Sequence, residues 1–309
     1  LFLLPSTVNI CETLPTMRRA VLSIIGFALL LSGCGPSQPH ITVGSKFFTE
    51  QVILAELLAQ HIESRTGIHV DRKSNLGGTL LCQKALLAGD LDLYVEYTGT
   101  ALIAVLNESP TDNSDAKAVY NRVKQGYAER FNLEVTEPLG FENTFAMVVR
   151  GSDADQFRLR TISDIVSIAP RWRAGVGYEF LERPDGYRGF VQRYGLKFAE
   201  TPSVMDLGLI YRALVDKKVD IVAGNSTDGL IDALHLVGLS DDRHYFPPYD
   251  AVPIVRRDTL ARFPALRAAL ADLAGKISVA DMRHMNAEVD ADQRDPAAVV
   301  RAFRAARNL

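Results

Sequence analysis

The 309-residue sequence is poor in cysteine, with three, and has no long basic run. Each scarcity removes a class of protein. Cys11 and Cys34 fall in or at the end of an N-terminal leader-like segment, which leaves Cys82 alone in the domain and no partner for a disulfide framework. Cys82 itself lies in the apolar, helix-like run "TLLCQKALLAG" and reads as a buried thiol. Lys and Arg number 34 against 37 Asp and Glu, intermixed, for a net charge of −3. The electrostatic footprint of a phosphate-backbone binder is missing, so nucleic acid is not an expected partner and a small molecule is.

Catalytic motifs are scarce too. The six histidines are scattered, no H-E-x-x-H pair occurs, and no G-x-S-x-G elbow precedes a helix. No enzyme activity, metal or cofactor is expected. Ser226, Asp228 and either His235 or His244 form the nearest approach to a hydrolytic set. "NSTDGLI" reads more simply as a helix N-terminus, capped by Ser226 or Thr227 with Asp228 in the first turn.

What is present begins with "MRRAVLSIIGFALLLSGCGPS". Arg18 and Arg19 precede an apolar run from Ala20 to Leu31, and small residues follow up to Cys34, the order of a signal peptide. The run is short for a membrane span. "LSGC" resembles a bacterial lipobox, which implies Cys34 as the lipid-bearing first residue of the mature chain. Residues 1–33 are therefore expected to be an upstream extension before Met17 plus a lipoprotein signal peptide, and 34–40 a short tether.

From Ile41 onward a short apolar strand ending in small polar residues is repeatedly followed by an amphipathic helix. "ITVGSKFFTEQ" precedes "VILAELLAQHIES", "IHVDRKSNLGGT" precedes "LLCQKALLAG", and "LDLYVEYTGT" precedes "ALIAVLNE". Leu54, Leu57, Leu58 and Ile62 give the first helix an apolar stripe at helical spacing. "FAMVVR", "RAGVGY", "KFAETP" and "DIVAG" read as strands, "SDIVSI" as a short helix, and "SVMDLGLIYRALVDKKV" as a long helix. After "HYFPPYDAVPIVRR" the chain returns to helices. The pattern predicts an α/β fold of two lobes with largely parallel sheets, the two ends of the chain sharing one lobe.

Ligands of open α/β sheets bind where strand ends and helix starts converge. Alternation along "LDLYVEYTGT" puts Leu91, Leu93, Val95 and Tyr97 on one face and Asp92, Tyr94 and Glu96 on the other. Tyr97 is last in the strand, and Thr100 stands about one turn away at the helix start, where a hydroxyl and unpaired N–H groups suit an anion. The acidic far face reads as structural.

"GSKFFTEQ", "EYTGT", "GFENTFAM", "EFLERPDGY", "STDGLI" and "YFPPYDAVPIVR" occur in the order and spacing of the glycine betaine/choline-binding proteins of osmoprotectant ABC importers, which this chain resembles from Ile41 to Leu309. The resemblance implies a bilobed type II periplasmic-binding-protein fold, with residues 41–142 and 249–309 as lobe I, 143–248 as lobe II, and two hinge segments between them. It also implies a monomeric, extracytoplasmic or periplasmic receptor, anchored through Cys34, that docks on a membrane permease served by an ATPase. A ligand sensor docking on a signalling partner is the alternative of another class.

In that family aromatic rings surround a trimethylammonium group, which has no N–H to donate and is attracted only by ring faces and dispersed negative potential. Cations, hydroxyls or helix-start N–H groups hold the carboxylate. Carried over, the resemblance implies Tyr97, Phe145 and Tyr249 for the cage, with Phe145 where relatives usually have Tyr. The Asn143 carbonyl would face the methyl groups. Lys46, Thr100 and Arg183 fall at the carboxylate end, with Glu179 and Asp185 orienting Arg183 or bridging the lobes. Asn225 departs from the pattern, replacing a cage tyrosine; Tyr178 or Tyr187 is a candidate substitute ring. Two cations favour a betaine, glycine betaine or a relative, over choline. Carnitine or an ergothioneine-like larger betaine is the alternative that Asn225 would suit.

Overall fold

The alternation of strand and helix is realised as two five-stranded sheets in the computed structural model, which describes residues 39–108 and 115–309. The leader and Cys34 lie outside the described residues. The first sheet contains β1 (His40–Gly44), β2 (His69–Lys73), β3 (Leu93–Tyr97), β4 (Leu133–Val135) and β10 (Ala251–Arg256), in the order β2-β1-β3-β10-β4. The second contains β5 (Phe145–Arg150), β6 (Ala174–Val176), β7 (Ser203–Val204), β8 (Ile221–Asn225) and β9 (Leu236–Leu239), in the order β7-β6-β8-β5-β9.

The sheets repeat one plan. β1 is parallel to β2 and β3, as β6 is to β7 and β8. In each sheet an antiparallel strand then enters just after the chain has crossed over: β10 against β3 and β4, β5 against β8 and β9. The two crossings run side by side. Glu142 and Asp250 form a β-bridge, the Asn143 N–H donates to the Tyr249 carbonyl at 3.1 Å, and the Ala251 N–H donates to that of Phe141 at 3.0 Å.

Periodicity explains the long elements. In the helix Thr49–Thr66 the side chains of Ile53, Leu54, Leu57, Leu58 and Ile62 are all buried, and Gly67 ends it in the left-handed conformation at φ 70°. Burying side chains of this size stabilises the fold by about 1.5–3 kcal/mol each. They share a core with Ile41 and Val95 of the first sheet and with Leu266, Met282 and Val299 from the C-terminal helices Ala265–Asp272, Val279–Asp290 and Pro296–Arg307. The end of the chain thus packs on its beginning.

Local competition shortened other elements. "KFAETP" forms no strand; β7 is the next pair, Ser203–Val204, beyond Pro202, which has no N–H for a ladder. The expected long helix covers only Leu207–Val215, because the Asp206 carboxylate caps it by accepting the Gly208 N–H at 2.8 Å. "SDIVSI" is a single 3-10 turn, Ile162–Ile165, closed by a capping box between Thr161 and Asp164. Ser226 and Thr227 cap nothing, since the following helix is the short Leu230–Ala233 and both hydroxyls are engaged elsewhere.

Candidate functional site

β3 is buried along its whole length on both faces, so alternation there distributes contacts rather than exposure. Tyr97 ends the strand with its ring inside the protein, and its phenol donates to the Glu50 carboxylate at 2.5 Å. Phe48 stacks on the ring with centroids 6.5 Å apart, and the Lys46 ammonium lies 4.8 Å from its centroid. Lys46, in the loop after β1, is almost fully buried, ion-paired with Glu96 and bonded to the Thr79 hydroxyl at 3.0 Å.

A tight turn, Thr98–Thr100, follows β3 and continues as the wider π-helical turn Ala101–Val105. The Tyr249 ring lies against Gly99. Tyr249 belongs to the second crossing, is buried, and donates its phenol to Asp185 at 2.5 Å. Phe145 opens β5 directly opposite Asn225 of β8. Its ring stands edge-on to Tyr249 at 6.1 Å and to Phe180 at 4.8 Å.

Arg183 follows the helix Tyr178–Glu182 and makes a two-pronged pair with Asp185, Nε to Oδ1 at 2.9 Å and Nη2 to Oδ2. Its Nη1 donates to the Thr100 hydroxyl at 3.0 Å, and the guanidinium lies 5.1 Å from the Phe145 centroid. Glu179 reaches across to the other sheet's side. Its Oε1 accepts the Thr79 N–H at 2.9 Å, where Gly78 leaves room that a Cβ, 2.3 Å from that oxygen, would fill.

Burial dominates the proton affinities. It pushes the Tyr97 and Tyr249 phenols well above the ordinary tyrosine range, and the adjoining carboxylates of Glu50 and Asp185 add to the rise. Burial also raises Glu50, against the opposing hydrogen bonds from Thr227, Tyr97, Asn286 and Asn143. Asp228 is held at about 6, by burial first, although Tyr211 and the Asn225 N–H bond to it. Cys82 is buried, and its thiol is pushed up to about 12, which suits packing and not reactivity.

Lys46, Tyr97, Thr100, Asn143, Phe145, Arg183, Asn225 and Tyr249, the residues singled out in the sequence, line one cavity, as does Glu179. Asp185 stands behind the wall, joined to Arg183 and Tyr249. Tyr178 lines the same cavity, whereas Tyr187 is stacked on Phe198. Phe47, Phe48, Phe180 and Leu207, with Gly177 and Ala223, complete the lining and were not anticipated. Phe47 and Phe48 sit inside the "GSKFFTEQ" block, next to Lys46, which was the available signal.

Three readings change. Glu96 is not merely structural, because it neutralises Lys46; Asp92 is, since its carboxylate accepts the Thr42 N–H at 2.7 Å and ties down Thr259. Thr100 lies within the turn rather than at its start, and its hydroxyl receives Arg183. Both cations at the expected carboxylate end already face carboxylates, so their presence alone does not distinguish a betaine from choline.

A wider cleft of about 1600 Å³ lies beyond Phe145, lined among others by Glu142, Arg243, Tyr245, Phe246 and Arg283. Its rings, Phe145, Tyr245 and Phe246, pack on one another at 4.9 and 5.8 Å and do not face each other across a space, so it offers no aromatic cage.

Residues 39–306 match the family model of the substrate-binding domain of ABC-type glycine betaine transport systems. The carnitine transport binding protein OpuCC of Listeria monocytogenes is 36% identical over 284 residues, covering 89% of this chain and 91% of that protein. A glycine-betaine-binding protein of Pseudomonas aeruginosa is 34% identical over 298 residues, covering 93% of this chain and 94% of that one. A crystal structure described as that of a glycine betaine/carnitine/choline ABC transporter superposes with a TM-score of 0.74 at 33% identity, over 87% of this chain and 98% of the other. The bilobed α/β binding-protein fold expected from the sequence is the fold found.

Proposed function

Because the chain belongs to the family of substrate-binding domains of ABC-type glycine betaine transport systems, we propose that it captures a quaternary-ammonium solute, glycine betaine or a related betaine, in the cavity described above. The observation that carries this reading is the convergence of Tyr97, Phe145 and Tyr249 on one cavity that Thr100 and Arg183 also line. The rings take the trimethylammonium group, each contributing about 0.5–2 kcal/mol when desolvated. The carboxylate inserts where Arg183 Nη1 now meets the Thr100 hydroxyl, with Lys46 and its partner Glu96 behind it.

In this reading the lobes are residues 41–142 with 249–309, and 143–248. They close by bending at the paired crossings near 142–144 and 247–250, and Glu179 seats on Thr79 as they do. The closed, monomeric protein, outside the cytoplasm and held to a membrane through a lipid on Cys34, delivers its ligand to an ABC permease and its ATPase, and performs no catalysis.

Choline is the second reading, favoured by one observation: Lys46 and Arg183 each have a carboxylate of their own, so no positive charge awaits an anion. Isothermal titration of the purified protein with glycine betaine, choline, carnitine and ergothioneine decides between them. Tight binding of choline alone overturns the betaine assignment, and binding of none of the four overturns the site.

A further inference from the structure

Glu50 lies one side chain behind the cavity wall, almost fully buried, in the first turn of the helix Thr49–Thr66. Its Oε1 accepts from the Tyr97 phenol at 2.5 Å and the Asn143 amide at 2.9 Å; its Oε2 accepts from the Thr227 hydroxyl and from the Asn286 amide at 3.0 Å. The four donors come from the end of β3, the first crossing, the turn after β8 and the helix Val279–Asp290. All are neutral. Among the described residues no Lys, Arg or His nitrogen lies within 4.0 Å of this carboxylate. Two of the donors, the amide nitrogens, can only donate, and each oxygen receives one, a set that fits a carboxylate anion.

A buried charge is expensive unless something compensates it. The other charges around the cavity are compensated locally: Lys46 by Glu96, and Arg183 by Asp185 with Glu179 nearby at 4.0 Å. Glu50 has no cation, nor has Asp228 behind Asn225, and of the two it is Glu50 that bonds a cage ring.

We propose that Glu50 is the counter-charge of the cation site, a positioning residue that acts through Tyr97. This rests on the quaternary-ammonium reading and deepens it. Donation of the phenol proton toward a carboxylate moves electron density into the ring, which strengthens the negative face that a cation meets. The carboxylate's own field acts in the same direction in a site with little water to screen it. It also offsets the Lys46 ammonium that lies over the same ring. A fixed positive charge beside Tyr97 in turn opposes the burial that raises the Glu50 pKa, so ligand and anion favour one another.

The test compares each ammonium ligand with its uncharged carbon isostere at pH 8: choline with 3,3-dimethylbutan-1-ol, and glycine betaine with 3,3-dimethylbutanoate. Each pair has the same shape and differs by the positive charge. Glu50→Gln is expected to weaken the ammonium member by at least about tenfold while changing its isostere less than about twofold. Tyr97→Phe keeps ring and carboxylate but cuts the bond between them, and is expected to give a smaller loss confined to the ammonium member. It decides the matter if Glu50→Gln does not fold. Equal losses for both members of a pair, or no loss, overturn the proposal and leave the function standing. Failure of the native protein to bind choline, glycine betaine, carnitine or ergothioneine overturns both.

Discussion

Gly99 and the Tyr249 ring are in close contact: a Cβ added at Gly99 would stand 2.7 Å from two carbons of the Tyr249 ring and 2.8 Å from the Pro248 carbonyl oxygen. The ring is fixed in turn by its bond to Asp185, so it cannot retreat without breaking that bond. Gly99→Ala is therefore expected to destabilise the fold by about 1–3 kcal/mol, the range for overpacking. It should also weaken ligand binding, because the displaced ring is a wall of the cavity. Thermal melting and titration together check this; unchanged melting would mean that the second crossing yields easily.

The two cage tyrosines are expected to matter through their rings. Tyr97→Ala and Tyr249→Ala should each weaken a quaternary-ammonium ligand by about tenfold or more, the equivalent of one ring contribution near the top of its range. Calorimetric titration measures this directly. Native affinity in both variants would remove the cage.

Arg183 distinguishes the ligands. If a carboxylate inserts between its Nη1 and Thr100, Arg183→Ala should weaken glycine betaine much more than choline. The loss for the betaine is expected at about tenfold or beyond, as for a charge-assisted hydrogen bond worth about 1.5–3 kcal/mol. Equal effects on both ligands would assign Arg183 to holding Asp185 and the lobes.

Asp228 gives a dependence on pH. It is half-buried, bonded to Tyr211 and to the Asn225 N–H, and desolvation holds it at about 6 against an ordinary 3.8. Between those values the folded protein binds the proton more tightly than the unfolded chain does. The stability this group contributes is thus full below about pH 4 and lost as pH rises through about 6. At roughly 1.4 kcal/mol per unit, Asp228→Asn should gain up to about 3 kcal/mol relative to the native protein between pH 4 and 7. Denaturation curves for the two proteins that stay parallel across that interval would refute the buried-charge account.

Much of the fold was legible because its signals are local. The apolar stripe Leu54, Leu57, Leu58 and Ile62 can face only a core, and each short apolar run closed by small polar residues became a strand wherever no proline or cap intervened. Where Pro202 and Asp206 did intervene, the boundaries moved. The site residues were legible in a different way, through six ordered blocks, and all eight of the proposed ligand contacts line one cavity. Their partners were not. Glu50 and Glu96 sit beside Lys46 and Tyr97 in those same blocks, yet nothing in their spacing tells which acid neutralises a lysine and which has no cation at all.

The sequence by itself determined residue chemistry and local geometry: which side chains are rings, cations or acids, and which strand end or turn carries each. Pairing was decided only by the tertiary structure. Tyr97 meets Glu50 across 47 positions, Arg183 meets Thr100 across 83, and Thr227 meets Glu50 across 177. Such contacts are set by how two sheets and two crossings bring distant segments together. In the low-dielectric interior they also decide whether a charge is cancelled or left to attract a ligand.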